Sequence, residues 1–353
     1  MPNIFVIFYH KIIPKWGHSK AVSTFDIEMK IIKKYFDCIT LDDVYEYLTT
    51  NKQPKRNSIV ISFDDGFVDN FVYAYPILKK YNLKATIFPI TSRIIKEDFV
   101  RPSLEDYWNN KISKNQLYQP LGMGEAHKEF LEKGKSYDFL TVAELNKMKD
   151  VFNIEGHAKI HAKVFYEDKI LDFYDGKNGH WSAPYSYSEK NDFSSLEYPV
   201  VGYPIFPDKN NLAVKRGFLK KEIKDFIKNL DKSFFNKKNW KENLRKELEK
   251  NFNSFLYFET EEERINRVKN ELIEAKRELE EMIGQKVNHI SYPFGHYDDV
   301  LINLSSEIYL TGYTTEKDII RKNQNFHKLP RIEISKDFIS FFTKIIKYSS
   351  LFL

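Results

Sequence analysis

Cys38 is the only cysteine in the chain, so no disulfide can close within it. No run of about 18 consecutive apolar residues occurs, which leaves no expected membrane span. The opening stretch, Met1-Pro-Asn-Ile-Phe-Val-Ile-Phe-Tyr9-His10, has neither the basic start nor the long apolar core of a secretion signal, and a cytoplasmic location is expected. Excess charge is also scarce. Lys and Arg number 55 against 50 Asp and Glu, a formal +5, and no segment gathers it into a basic tail, so nucleic acid is not an expected partner. Internal repeats and low-complexity tracts are absent, which excludes solenoids and disordered arrays.

What the chain has in quantity is apolar and aromatic surface: 42% apolar residues, with 29 Phe and 22 Tyr among 353. That is enough for a sizeable core, and α/β barrels commonly run to about 250 residues as one unit. Short β-rich runs at Ile4–Phe8, Ser58–Phe63, Ala85–Ile90, Phe152–Ile154, His289–Tyr292 and Leu329–Ile334 alternate with helical periodicity, which implies parallel strands. The expected fold is therefore one α/β domain over 1–353, a distorted (β/α) barrel of about seven parallel strands. Ile265, Val268, Leu272, Ala275, Leu279 and Met282 repeat at steps of three and four and predict a helix over 261–283, ended by Gly284 and packed on the barrel. Two stretches fit the rhythm poorly, 96–137 and 166–259, and are expected to be insertions. Their aromatics, around Trp181–Tyr185 and Tyr203–Pro207, either face a sugar at the barrel rim or close a small satellite core. The apolar, basic tail 338–353 is expected to form a closing helix.

Chemistry concentrates at two strand ends. The run Ile59-Val-Ile-Ser-Phe-Asp64-Asp65-Gly66 ends an apolar strand in adjacent carboxylates, which repel one another unless a cation lies nearby. Gly66 permits the turn that brings both into one pocket. Beyond another strand, Gly156-His157-Ala158-Lys159-Ile160-His161 sets two imidazoles four residues apart, a spacing that places them on one face of a helical turn. One carboxylate and two imidazoles would make a three-ligand metal site with a position left for water, which suits a catalytic metal.

With these residues the chain resembles the polysaccharide deacetylases, the NodB-homology carbohydrate esterases. Ser62-Phe-Asp-Asp-Gly66 is similar to the family's first motif, which implies Asp64 as general base and Asp65 as metal ligand. His157 and His161 match the paired ligands of its second motif, although Ala158 stands where Ser or Thr is usual. Ser291-Tyr292-Pro293-Phe294-Gly295 resembles the third motif, with Ser291 in place of its arginine. Arg331, in Leu329-Pro330-Arg331-Ile332, is expected to supply that charge beside Asp64. Tyr292, Pro293, Phe294 and Gly295 are the implied substrate and oxyanion segment, through the Phe294 N–H. Tyr9-His10 resembles an element that some relatives carry at this end, which makes His10 the expected general acid, with His327 and His296 as competitors. His18, His127, His180 and His289 lie in no motif and read as surface or packing residues.

The resemblance implies hydrolysis of an N-acetyl group from an amino sugar in a glycan or glycan precursor. A divalent ion would activate water: zinc by its ligand set, or cobalt, nickel or manganese. Removal of a formyl or O-acetyl group on the same scaffold, and a non-catalytic sugar-binding module, are the alternatives. A glycosidase, which needs two carboxylates across a sugar ring, ranks last. The expected partner is an N-acetylated saccharide, with peripheral membrane contact if that sugar is lipid-linked.

Overall fold

The structure, a computed structural model, describes residues 2–14, 20–50, 52–189, 196–334 and 336–349. The chain divides into two compact units, 1–160 with 269–353, and 161–268.

Beside the two-residue strands Ile12–Ile13, Lys20–Ala21 and Asp37–Cys38, the first unit has seven principal strands, β1 Ile4–Tyr9, β2 Ser58–Asp65, β3 Ala85–Pro89, β4 Phe152–Ile154, β5 His289–Ser291, β6 Thr311–Tyr313 and β7 Ile332–Glu333. Every residue of β1 and β2 is buried, as expected of parallel strands covered on both faces. The hydrogen-bonded order is β7-β1-β2-β3-β4, all parallel, and β5 pairs with β6 in the same sense. Single parallel bridges, Gly156 with Ile290 and Tyr313 with Leu329, link the two groups, so the neighbour relations run round a distorted (β/α) ring of seven. Six of these strands coincide with predicted runs. The seventh, β6, is three residues centred on Gly312, which interrupts the run, and it is not among the predicted strands. The register Tyr9↔Phe63 and Asp65↔Pro89 aligns the carboxyl ends of β1, β2 and β3, so that His10, Asp64 and Asp65 emerge at one rim.

The surrounding helices follow local rules. Leu41–Thr49 starts at a capping box in which Thr40 and Asp43 satisfy each other's backbone N–H groups. The predicted helix appears as Glu261–Ile283, and Gly284 follows it at φ +64. Val268, Leu272, Ala275 and Leu279 are buried, but Ile265 is 40% exposed, so the apolar stripe begins a turn later than its sequence spacing suggests. The tail forms a helix, Phe338–Ser349, tied down where Asn3 and Asn57 donate to the Tyr348 and Ser349 carbonyls. Among the described residues no helix is long and apolar enough to cross a membrane.

Glu155, at the end of β4, braces the start of β5: its carboxylate accepts from the Asn288 and His289 N–H groups, both at 2.8 Å. Burial pushes its pKa up to about 7, outweighing those bonds and His289, which lower it. Because the folded pKa lies above the unfolded one, the folded state binds the extra proton, and stability falls as pH rises from about 4.5 to about 7. Glu155→Gln keeps an acceptor oxygen without the charge. Thermal melts of the variant should exceed those of the native chain at pH 8 by on the order of 2 kcal/mol and match them near pH 4.5.

The second unit carries its own antiparallel sheet, with Lys163–Phe165 between Asp208–Asn210 and Gly217–Leu219, and Leu256–Phe258 on the far side of Gly217–Leu219. Helices Lys221–Lys228 and Trp240–Asn251 bury Ile223, Ile227, Leu244 and Leu248 in one cluster with Phe165, Phe173, Tyr187, Tyr203 and Phe206. Tyr203 and Phe206, from one of the two aromatic segments marked in the sequence, thus close a satellite core.

Candidate active site

At the end of β2 the two neighbouring carboxylates part company. Asp65 sits at φ +71, in the left-handed region that few non-glycine residues occupy, and Gly66 follows at φ +76. A Cβ on Gly66 would come within 2.7 Å of the Pro89 Cβ, so the turn requires glycine on grounds of both space and conformation. Both aspartates are buried. Asp64 is held by Arg331, whose Nη1 and Nη2 donate to its two oxygens at 2.7 and 2.8 Å, a bidentate pair between wholly buried groups. Burial alone would raise the Asp64 pKa; the guanidinium, helped by His157 and His10, reverses the sign and holds it below the ordinary carboxylate value. Arg331 is fixed in turn by a bond from Nε to the Thr314 carbonyl, and its guanidinium lies 4.5 Å from the centre of the Phe8 ring.

The histidine loop corrects an expectation. His157 and His161 do not share a helical turn: the segment is irregular, and Ala158 and His161 take left-handed backbone at φ +58 and +55. The imidazoles still converge. One ligating atom each from Asp65, His157 and His161 lies within 4.8 Å of the others. His157 Nδ1 is 2.7 Å from the Ser291 carbonyl, which can only accept, so Nδ1 carries a proton and Nε2 is the nitrogen turned toward Asp65. That Nε2 is 3.4 Å from Asp65 Oδ1. Donors about 2.1 Å from a tetrahedral zinc ion lie roughly 3.4 Å apart, so this edge of the site matches a shared cation. The donor set fits the divalent ion implied by the sequence. Trp181 stacks on His161, with ring centres 6.1 Å apart, so this residue of the aromatic segments flanks an imidazole rather than filling the satellite core.

The third motif lies just after β5. Ser291 Oγ is 3.5 Å from Asp64 Oδ2. Tyr292 is fully buried, its hydroxyl bonded to Ser305 Oγ and the His327 carbonyl, so its phenol braces the turn from within. Pro293–Gly295 forms a single helical turn in which Phe294 stands at φ +58. A Cβ on Gly295 would fall 2.0 Å from Thr315 Oγ1, which makes glycine obligatory there. Among the candidate acids, His10 is partly exposed at the rim and close enough to Asp64 for its charge to be felt. Burial pushes His327 down to about 4, and its Nδ1 lies 3.3 Å from Ser305 Oγ. His296 sits beside the Phe294 ring, and His18 lies outside the described residues.

Two features had no sequence signal. Lys11 is fully buried between Asp69 and Asp138, 4.0 Å from the centre of the Phe67 ring. Asp69 also accepts from the Ile12 N–H, and Asn70 donates to the His10 carbonyl, so the residues just past Gly66 clamp segment 10–12 at three points. The second feature is His127, on helix Met123–Lys133. Read from sequence as a surface or packing residue, it does pack, buried against Phe67 and Phe139, and its Nε2 also lies 3.6 Å from Asp65 Oδ2. Burial pushes its pKa down to about 4 against the pull of Asp65. A lone histidine in a region with no strand rhythm offers nothing in sequence to link it with a residue 62 positions earlier.

Fold and rim together define a NodB-like α/β fold with a carboxylate–imidazole cluster at one rim. Comparison with known proteins agrees: the polysaccharide deacetylase family profile matches residues 51–128. YxkH of Bacillus subtilis is 38% identical over 92 residues, 25% of this chain and 32% of that protein. The poly-beta-1,6-N-acetyl-D-glucosamine N-deacetylase of Staphylococcus aureus is 37% identical over 100 residues, 28% of this chain and 33% of that one. These matches span about a third of the length of either relative. The solved structure of a de-N-acetylase from Aggregatibacter actinomycetemcomitans superposes with a TM-score of 0.57 at 13% identity, covering 97% of this chain and 99% of that one, and it shows the fold. The resemblance to NodB-type polysaccharide deacetylases thus rests on a matched segment and a shared fold.

Proposed function

We propose that this chain is a divalent-metal-dependent hydrolase that removes N-acetyl groups from amino sugars of a glycan. The observation that carries the reading is the pairing of Asp64 with Arg331 beside the convergent Asp65, His157 and His161. When bound, a divalent ion would polarise the amide carbonyl and lower the pKa of a water molecule toward about 7. Zinc suits one carboxylate and two imidazoles; cobalt, nickel and manganese accept the same donors.

The chain's own groups supply the rest. Asp64, kept ionised by the guanidinium, accepts a proton from the attacking water. The Phe294 N–H, held in its left-handed turn by the Gly295 close approach, is assigned to the developing oxyanion. His10 is assigned to protonate the departing sugar amine, its backbone carbonyl held at the rim by Asn70. Acetate and a free amine result. The Staphylococcus aureus relative is named for de-N-acetylation of a β-1,6-linked N-acetylglucosamine polymer, and such oligomers are the first substrates to offer.

The test is to incubate zinc- or cobalt-loaded protein with β-1,6- and β-1,4-linked N-acetylglucosamine oligomers and with O-acetylated sugars, and to assay acetate and free amine together. Equimolar acetate and amine support the reading. Acetate released from esters alone would transfer it to an O-acetyl esterase, and sugar binding without turnover to a lectin-like role. The acid assignment has its own expected result: His10→Gln should lower kcat roughly 100-fold, whereas His327→Gln should change it less than about threefold. A larger loss at His327, read from the basic limb of the pH–rate profile, would reverse the assignment.

A further inference from the structure

We propose that His127 is a positioning residue for Asp65, holding one carboxylate oxygen through an imidazole N–H so that the other faces the cation. This rests on the reading of Asp65 as a metal ligand. The two oxygens of Asp65 face different imidazoles: Oδ1 lies 3.4 Å from His157 Nε2, within the cluster, and Oδ2 lies 3.6 Å from His127 Nε2, outside it. A carboxylate free to rotate would exchange these oxygens; one oxygen anchored from behind leaves the other aimed.

The surroundings give His127 the means to anchor. Its side chain is 1% exposed and packs beside the rings of both Phe67 and Phe139, with centroids 5.5 and 5.4 Å away. Those two rings stack on each other at 5.1 Å, so the imidazole is wedged against a rigid pair. Phe67 is held further by the Lys11 ammonium, 4.0 Å from its ring centre, and by the neighbouring bond from the Val68 N–H to the Asp138 carbonyl. Asp65 needs such support, because its backbone is in the left-handed region, where a residue with a Cβ persists only when its neighbours over-determine it. Outer partners of metal-bound groups typically matter 10- to 100-fold in affinity. His127 thus gives the region 96–137 a purpose: helix Met123–Lys133 carries a prop for the ligand.

The test is zinc affinity, read by calorimetry on full-length protein stripped with a chelator, for the native chain, His127→Leu and His127→Gln. Leucine fills the space without a donor and should bind zinc at least about 10-fold more weakly, while glutamine, which keeps an N–H, should stay within about threefold of native. Unfolding of the metal-free proteins is followed in parallel, and His127→Met serves as the donor-free variant if leucine prevents folding. Native-like affinity in the donor-free variant, or equal losses in leucine and glutamine, would overturn the proposal while leaving the metal site intact. No zinc binding by the native chain would overturn both.

Discussion

Asp64→Asn should cut the rate of acetate release roughly 10³-fold while zinc affinity changes little. The substitution is nearly isosteric, and its remaining oxygen still accepts from one arm of the Arg331 fork. What disappears is the basic site proposed to take the proton from water. Metal affinity should persist because the proposed ligands are Asp65, His157 and His161, not Asp64. Kinetics and calorimetry on the same preparation separate the two roles: turnover surviving in the asparagine variant would end the base assignment, and a parallel loss of metal would make Asp64 a ligand.

Arg331→Met should destabilise the fold by about 3–5 kcal/mol and impair catalysis at the same time. The guanidinium is wholly buried against a carboxylate that is also buried, so its removal strands a charge with no solvent to receive it. Burial, which already favours the neutral acid, would then act with much less opposition, and the Asp64 pKa would climb from below its ordinary value to above it. Two measurements follow. Denaturant midpoints should fall at neutral pH, and the acid limb of the pH–rate profile should move to higher pH. A conservative lysine should recover part of the stability but not the bidentate geometry. A methionine variant as stable as the native protein, with an unmoved acid limb, would show that the pair carries little of either burden.

How much of this was legible beforehand divides along physical lines. The strands could be read because buried parallel strands are written as unbroken apolar runs, and the Ser62–Gly66 motif could be read because an aspartate pair at the end of such a run has no packing rationale. Arg331 was reachable only through likeness to a family, since its partner is 267 residues away. The geometry of the histidine loop was misjudged: a four-residue spacing also suits a loop with two left-handed residues, and hydrophobic periodicity says nothing of φ. His127 and the Lys11 clamp were invisible for the opposite reason. Both depend on contacts created by the fold between segments with no pattern of their own. The aromatics of the 166–259 stretch were ambiguous because ring-rich sequence serves a core and a sugar platform equally well, and position alone separates Tyr203 from Trp181.

Among the described residues, four of the six non-glycine positions with left-handed backbone are Asp65, Ala158, His161 and Phe294. Each such residue costs of order 1 kcal/mol or more, and here that cost sits in the turns that aim the proposed ligands and oxyanion segment. A glycine at Ala158 would relax its turn and toughen the molecule against heat, yet the same freedom would let the imidazoles wander. On the proposed function, durability and turnover therefore pull this rim in opposite directions.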